Sequence, residues 1–75
     1  MATSAVEIAK SRELIRSGRA QDIRERARVS RSELGLSIGV TESTIWRWEM
    51  GKRIPRGAVA RRYGEVLREL AEVGL

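Results

Sequence analysis

Hydrophobic residues along the chain recur at helical spacing, in segments that glycines separate. The most regular repeat has apolar residues at positions i, i+4, i+7, i+8 and i+11 of one segment, namely Val59, Tyr63, Val66, Leu67 and Leu70. This spacing marks one face of an amphipathic helix, which we predict from Arg56 or Gly57 to Glu72. Weaker patterns predict four more helices, over about residues 4–16, 19–28, 31–38 and 42–50. No segment alternates polar and β-branched residues, so the sequence predicts an all-α fold.

Residues that cap helices stand at three of the predicted helix starts. Ser4 is followed by Glu7 at the spacing of a capping box, in which each side chain bonds the backbone N–H of the other residue. Ser30 and Glu33 repeat that spacing before the third helix. Thr41 is the predicted cap of the fourth helix. These caps support the predicted helix starts independently of the hydrophobic pattern.

The stretch from Ser30 to Gly51 has the layout of a helix-turn-helix. Two short predicted helices are joined by a turn that contains Gly39, and glycine readily adopts the left-handed backbone of a sharp turn. The apolar residues that can bury one another where these helices cross are Leu34, Ile38, Val40, Ile45 and Trp48. The residues that then point outward from the second helix are Glu42, Ser43, Trp46, Arg47 and Met50.

Three features depart from the simple pattern, and the first two of them leave alternatives open. The apolar residues of the first helix do not form one stripe, so its packing partner stays open. Leu36 lies on a face expected to be polar, which predicts either half-burial against the first helix or a place in an interface. Gly35 stands inside the third helix, where it should weaken that helix by about 1 kcal/mol relative to alanine.

Three runs of residues carry a resemblance to a known family. They are Ser30-Arg31-Ser32-Glu33-Leu34, the run IGVTESTIWRWE from Ile38 to Glu49, and Gly51-Lys52-Arg53 with Pro55. Over about residues 18–70 the chain resembles the phage repressor–Cro, or xenobiotic-response-element, family of helix-turn-helix proteins. The resemblance implies a compact five-helix bundle of the lambda-repressor-like type, with its helix-turn-helix at about residues 31–50. We expect one domain over residues 1–75, which carries an additional N-terminal helix at about 4–16.

The resemblance also implies roles for individual residues. It places base-reading positions at Glu42, Ser43 and Arg47, and chemistry adds Trp46. Arg47 can bind the O6 and N7 atoms of guanine, and Glu42 can accept from cytosine N4. Trp46 could contact a thymine methyl group or lie along the sugar-phosphate wall. The predicted phosphate-contacting residues are Arg31, Thr44, Lys52, Arg53 and Arg56.

The distribution of charge favours a nucleic-acid partner. The chain has 15 basic and 10 acidic residues, and 13 of the basic residues are arginine, which suits phosphate and guanine recognition. Residues 47–62 carry six basic side chains and one acidic one, so the net charge of +5 is concentrated there. Arg61 and Arg62, on the later helix, are expected to be solvated or bonded within the protein. Glu49 is expected to pair with a nearby arginine.

Several functions are disfavoured by what the composition lacks. There is no histidine and no cysteine, which removes the commonest zinc ligands and the commonest general base. We therefore predict no enzymatic activity, no cofactor, no metal site and no small-molecule substrate. No apolar stretch is long enough to cross a bilayer, and Glu7 argues against a secretory signal. The expected location is the cytoplasm of a bacterial or phage-infected cell.

Sequence-specific binding of double-stranded DNA by a repressor or Cro-like regulator is the leading hypothesis. An antitoxin-like adaptor that binds a partner protein as well as DNA is the alternative. An extra helix or tail with an apolar face would favour it, and the first helix is a candidate. A basic peptide at a membrane surface is a third reading, against which the mixed charges and internal caps weigh. Monomeric and homodimeric binding to DNA both stay open.

Overall fold

The computed structural model describes residues 3–74, apart from the side chains of residues 3, 4 and 7. This part of the chain forms five helices and no strand, which confirms the predicted all-α, five-helix fold. In chain order the helices are α1 (Thr3–Arg16), α2 (Arg19–Arg26), α3 (Arg31–Ile38), α4 (Glu42–Glu49) and α5 (Gly57–Val73). The predicted bounds of α3 agree with these, and those of the other helices differ by two residues or fewer.

The predicted caps are present where the structure describes them. The Ser30 hydroxyl accepts from the backbone N–H of Glu33 at 3.0 Å, and the Glu33 carboxylate accepts from the N–H of Ser30 at 2.8 Å. These hydrogen bonds lower the pKa of Glu33. The other predicted capping box, Ser4 with Glu7, lies outside the described side chains. The backbone of α1 begins at Thr3, one residue before the predicted start.

Helix α5 supplies the centre of the core. Tyr63 and Leu67 on its predicted apolar face are fully buried, and Val59, Val66 and Leu70 pack around them half-buried. The helix contacts α1, α2 and α3 along its length, and it contacts α4 through Tyr63 and the Trp48 ring. Because one long amphipathic helix touches all four others, burial of its stripe orders the bundle.

Helix α1 packs on α5 and α2, which answers the question that its irregular pattern left open. Its inward face contains a serine in place of an apolar residue. Ser11 is fully buried, and its hydroxyl donates to the backbone carbonyl of Ala60 at 3.0 Å. Ile8 and Leu14 are half-buried and Ile15 is buried beside it. The hydrogen bond satisfies the buried hydroxyl, so a polar residue is tolerated in this contact.

Gly35 has a steric role that its helix propensity did not predict. A Cβ atom at this position would lie 2.5 Å from the carbonyl oxygen of Val40 and 3.3 Å from the backbone of Thr41. Glycine therefore lets the turn between α3 and α4 lie directly on α3. Gly39 makes that turn with φ of +81°, the left-handed conformation that was predicted. The expected weakening of α3 is accompanied by closer packing of the helix-turn-helix.

Leu36 projects from α3 with 81% of its surface exposed. The expectation that it is half-buried against the first helix is wrong, because the inward positions of α3 are those of Leu34 and Ile38. Among the helices of the described residues, none is long and apolar enough to cross a membrane.

Candidate nucleic-acid interface

The buried face of α4 fixes how this helix is rotated. Ile45 is fully buried and Trp48 is 5% exposed, as the spacing predicted. The ring of Trp48 packs against that of Tyr63, with centroids 4.7 Å apart and planes tilted by 49°. This geometry is a favourable one for aromatic pairs, and it anchors α4 on the central helix α5.

The opposite face of α4 is exposed, as predicted. The exposed residues on it are Glu42, Ser43, Trp46, Arg47 and Met50. Trp46 and Met50 retain 41% and 42% of their surface, and neither belongs to the core cluster. The face is polar and charged at its N-terminal end and apolar near its C-terminal end.

Thr41 caps α4 and also engages Thr44. The Thr41 hydroxyl accepts from the backbone N–H of Thr44 at 3.1 Å, and the two hydroxyl oxygens are 2.8 Å apart. Thr44 is half-buried. Its hydroxyl therefore already has a partner within the protein, although a hydroxyl can take part in more than one hydrogen bond.

A buried charged cluster ties the end of α4 to α2 and α3. The side chain of Glu49 is fully buried. Its two oxygens accept from Nε and Nη2 of Arg24 at 2.5 and 3.1 Å, and one of them also accepts from Nε of Arg31 at 2.8 Å. Nη1 of Arg24 donates to the carbonyl of Val29 at 2.9 Å. The hydrogen bonds to Glu49 raise the pKa of Arg24, and the Arg24–Glu49–Arg31 cluster fixes α4 within the bundle.

Glu49 was expected to pair with a nearby arginine, and the structure gives it two such partners, Arg31 and Arg24. Sequence reasoning missed Arg24. Arg24 follows Ala20 by four residues on the buried face of α2, so its position was a signal that could have found it. Arg31, predicted to contact phosphate, has 28% of its side chain exposed while its Nε is bonded to Glu49.

The predicted phosphate-contacting residues beyond α4 come together in one cleft. The cleft lies between α4, the following loop and the start of α5. None of its lining residues is acidic, and four are basic: Arg47, Lys52, Arg53 and Arg56. Thr44 lines the same cleft, whereas Arg31 does not. The concentration of charge predicted from the sequence is therefore also a concentration in space.

Lys52 lies against Trp46, a contact that the sequence did not reveal. The ammonium nitrogen of Lys52 is 5.8 Å from the centroid of the Trp46 ring, within the range of a cation–π interaction. Arg62 instead bonds within the protein, since its Nη2 donates to the carbonyl of Ile38 at 3.4 Å. That contact agrees with the expectation for Arg62.

The hydroxyl of Tyr63 is buried and has no hydrogen-bond partner among the described residues. Burial raises the pKa of this hydroxyl, with a smaller contribution from Glu49. Because the unfolded-state pKa is about 10, the stability that depends on neutral Tyr63 is present below about pH 10 and is lost as the pH rises further.

We therefore expect Tyr63→Phe to leave stability at neutral pH unchanged or slightly higher, and to reduce the loss of stability above about pH 10. Urea unfolding at neutral and alkaline pH would measure both effects. Tyr63 is the single tyrosine of the chain, so tyrosinate absorbance reports its ionisation alone. Ionisation at the ordinary pKa in the folded protein would contradict the prediction.

Comparison with known proteins yields one family. The model of a family described as a helix-turn-helix domain matches residues 17–72. The match covers α2 to α5 almost completely and leaves α1 outside. Neither the curated proteins nor the solved structures give a match.

Proposed function

Because the chain belongs to this helix-turn-helix domain family, we propose that it binds double-stranded DNA sequence-specifically, with α4 in the major groove. We propose that it is of the phage repressor–Cro type and acts as a bacterial or phage transcriptional regulator. The observation that carries the proposal is the exposed face of α4 beside a cleft lined by four basic residues. A helix with one buried face and one polar exposed face, next to concentrated positive charge, suits entry into a groove between two phosphate backbones.

The exposed face of α4 supplies the proposed base contacts. Arg47 binds guanine through two donors, Glu42 accepts from cytosine N4, and Ser43 bonds to either kind of base edge. Trp46 is the fourth proposed base-reading residue. All four project from a helix that the Arg24–Glu49–Arg31 cluster holds in place, so the backbone from which they extend is positioned before DNA arrives.

The cleft supplies the proposed phosphate contacts. Lys52, Arg53 and Arg56 line the cleft next to α4, and we propose that a DNA strand passes along it when the helix is inserted. We propose that Arg31 and Thr44 complete this set. Arg31 would approach phosphate with the part of its guanidinium that Glu49 does not bind.

We propose that residues 1–75 form one domain in which α1 is an integral part, since Ser11 and Ile15 are buried in its contact with the rest of the bundle. The protein would act in the cytoplasm, where bacterial or phage DNA is accessible, either as a monomer or as a homodimer. An extra helix or tail with an apolar face would favour the antitoxin-like alternative. In α1 the residues Ile8, Leu14 and Ile15 are half-buried or buried, and Val6 is the large hydrophobic residue that its described side chains expose. Because a single exposed valine is not an apolar face, this favours the regulator.

Selection of binding sites from a random duplex library, followed by fluorescence anisotropy, tests the proposal. We expect Arg47→Ala to weaken binding to the selected site by roughly 1–3 kcal/mol and binding to random duplex by less. Arg61→Ala removes an exposed arginine of α5 outside the cleft and serves as the matched control. An equal loss on both duplexes would assign Arg47 to phosphate, and absence of binding at low salt would overturn the DNA-binding function itself.

A further inference from the structure

The exposed apolar end of the α4 face, Trp46 and Met50, lies outside the core cluster. Trp48 of this helix belongs to the core cluster, whereas Trp46 does not. The Trp46 side chain has 41% of its surface exposed to solvent. Met50, one helical turn further along, is exposed to the same extent. A partner that covers the exposed part of the indole would bury further apolar surface, and the position of Trp46 beside the basic cleft puts that surface next to the proposed DNA contacts.

Lys52 restricts how the Trp46 indole can present itself. Its ammonium group lies 5.8 Å from the ring centroid and occupies one face of the ring. The cation–π attraction favours this arrangement over free rotation of the indole. The exposed 41% of the Trp46 surface adjoins Arg47, the next residue in the chain, whose side chain lines the basic cleft. The indole therefore stands as a partly fixed apolar surface at the edge of a cationic site.

Within the major groove, an apolar surface has one chemical target. The base edges there present hydrogen-bond donors and acceptors, except at C5 of a pyrimidine, where thymine carries a methyl group. 5-Methylcytosine carries a methyl group on the same carbon. We propose that Trp46 reads the C5-methyl group of a pyrimidine, with Lys52 holding the indole in position. This inference rests on the proposed function, since it requires α4 to enter the major groove.

The assignment has a consequence for regulation. An unmodified cytosine and a methylated one differ at the atom that Trp46 contacts, so methylation of the operator strengthens binding when the methyl group falls at this position. The contact distinguishes thymine and 5-methylcytosine, which carry the methyl group, from cytosine and uracil, which lack it. It depends on the shape and apolarity of that group alone. Glu42 and Arg47 then read the neighbouring polar edges.

The test replaces each thymine of the selected duplex, one at a time, by deoxyuridine, which removes the methyl group and leaves the hydrogen-bonding edge intact. We expect one position at which this change weakens binding by about fourfold, the effect of losing about 0.8 kcal/mol of methyl burial. In Trp46→Ala, thymine and uracil at that position are expected to bind equally. Each variant is compared with itself on two duplexes, so a change in folding does not alter the ratio.

A second arm places cytosine or 5-methylcytosine at the same position. The wild-type protein is expected to prefer the methylated duplex by a similar factor. Trp46→Ala is expected to show no preference. A wild-type response to the thymine methyl group alone would identify thymine as the source of that group. Met50→Ala, which shortens the neighbouring exposed side chain, is the matched control and should keep the wild-type ratios.

Two results would overturn the proposal: no thymine position responds to loss of its methyl group, or the wild-type ratio between the thymine and uracil duplexes persists in Trp46→Ala. If that ratio persists while both affinities fall by the same factor, the indole is assigned to the sugar-phosphate wall. Failure of the wild-type protein to bind any duplex with salt sensitivity would instead overturn the proposed function, so the two failures are distinct.

Discussion

Replacing Glu49 with alanine is expected to destabilise the protein by roughly 3–5 kcal/mol, because it leaves the buried guanidinium of Arg24 without its carboxylate. Both Glu49 and Arg24 are 6% exposed, and the carboxylate also binds Arg31. A domain of 75 residues has a folding free energy of about 4–11 kcal/mol. The substitution therefore removes a large part of the total stability, and it leaves the variant partly unfolded if the wild-type stability lies near the lower end of this range.

Thermal and urea unfolding followed by circular dichroism would measure this loss. Glu69→Ala is the matched control, since it removes an exposed carboxylate from α5 and should change stability by less than about 0.5 kcal/mol. The double variant Arg24→Met/Glu49→Leu removes both buried charges and is expected to recover much of the lost stability. If Glu49→Ala is as stable as the control, the cluster does not hold α4 in the bundle.

The elements that the sequence predicts well are those with local causes. The capping pair Ser30 and Glu33 and the turn at Gly39 act within a few residues of themselves, so α3 and the turn follow from short-range chemistry. The rotation of α4 also followed from the spacing of Ile45 and Trp48, because an apolar face must be buried wherever its partner lies. The orientation of the proposed base-reading face was therefore accessible without a structure.

The elements that the sequence did not predict depend on distant partners. Ser11 is buried because it meets the carbonyl of Ala60, and Arg24 is buried because it meets Glu49. A polar residue inside an apolar face interrupts the hydrophobic pattern, and nothing local indicates its partner. Gly35 is the same kind of case, since the contact with the Val40 carbonyl exists only after the turn has folded back onto α3.

Salt is expected to weaken DNA binding steeply. If Arg31, Lys52, Arg53 and Arg56 each neutralise one phosphate, log K should fall against log salt with a slope of about −3.6, since each contact releases about 0.9 counterion. Raising the salt from about 50 to about 200 mM would then lower affinity roughly 150-fold. Anisotropy titrations across this range, on both selected and random duplexes, measure the slope.

Single substitutions separate the phosphate-contacting residues from the base-reading ones. Arg53→Ala should make the slope shallower by about 0.9 and weaken binding to both duplexes by the same factor, because phosphate contacts carry no sequence information. Arg61→Ala, outside the cleft, should leave the slope unchanged. A wild-type slope near zero would mean that the cleft does not bind the phosphate backbone. If Arg53→Ala does not alter the slope, Arg53 does not contact phosphate. The phosphate contacts of the cleft would then be those of Lys52 and Arg56.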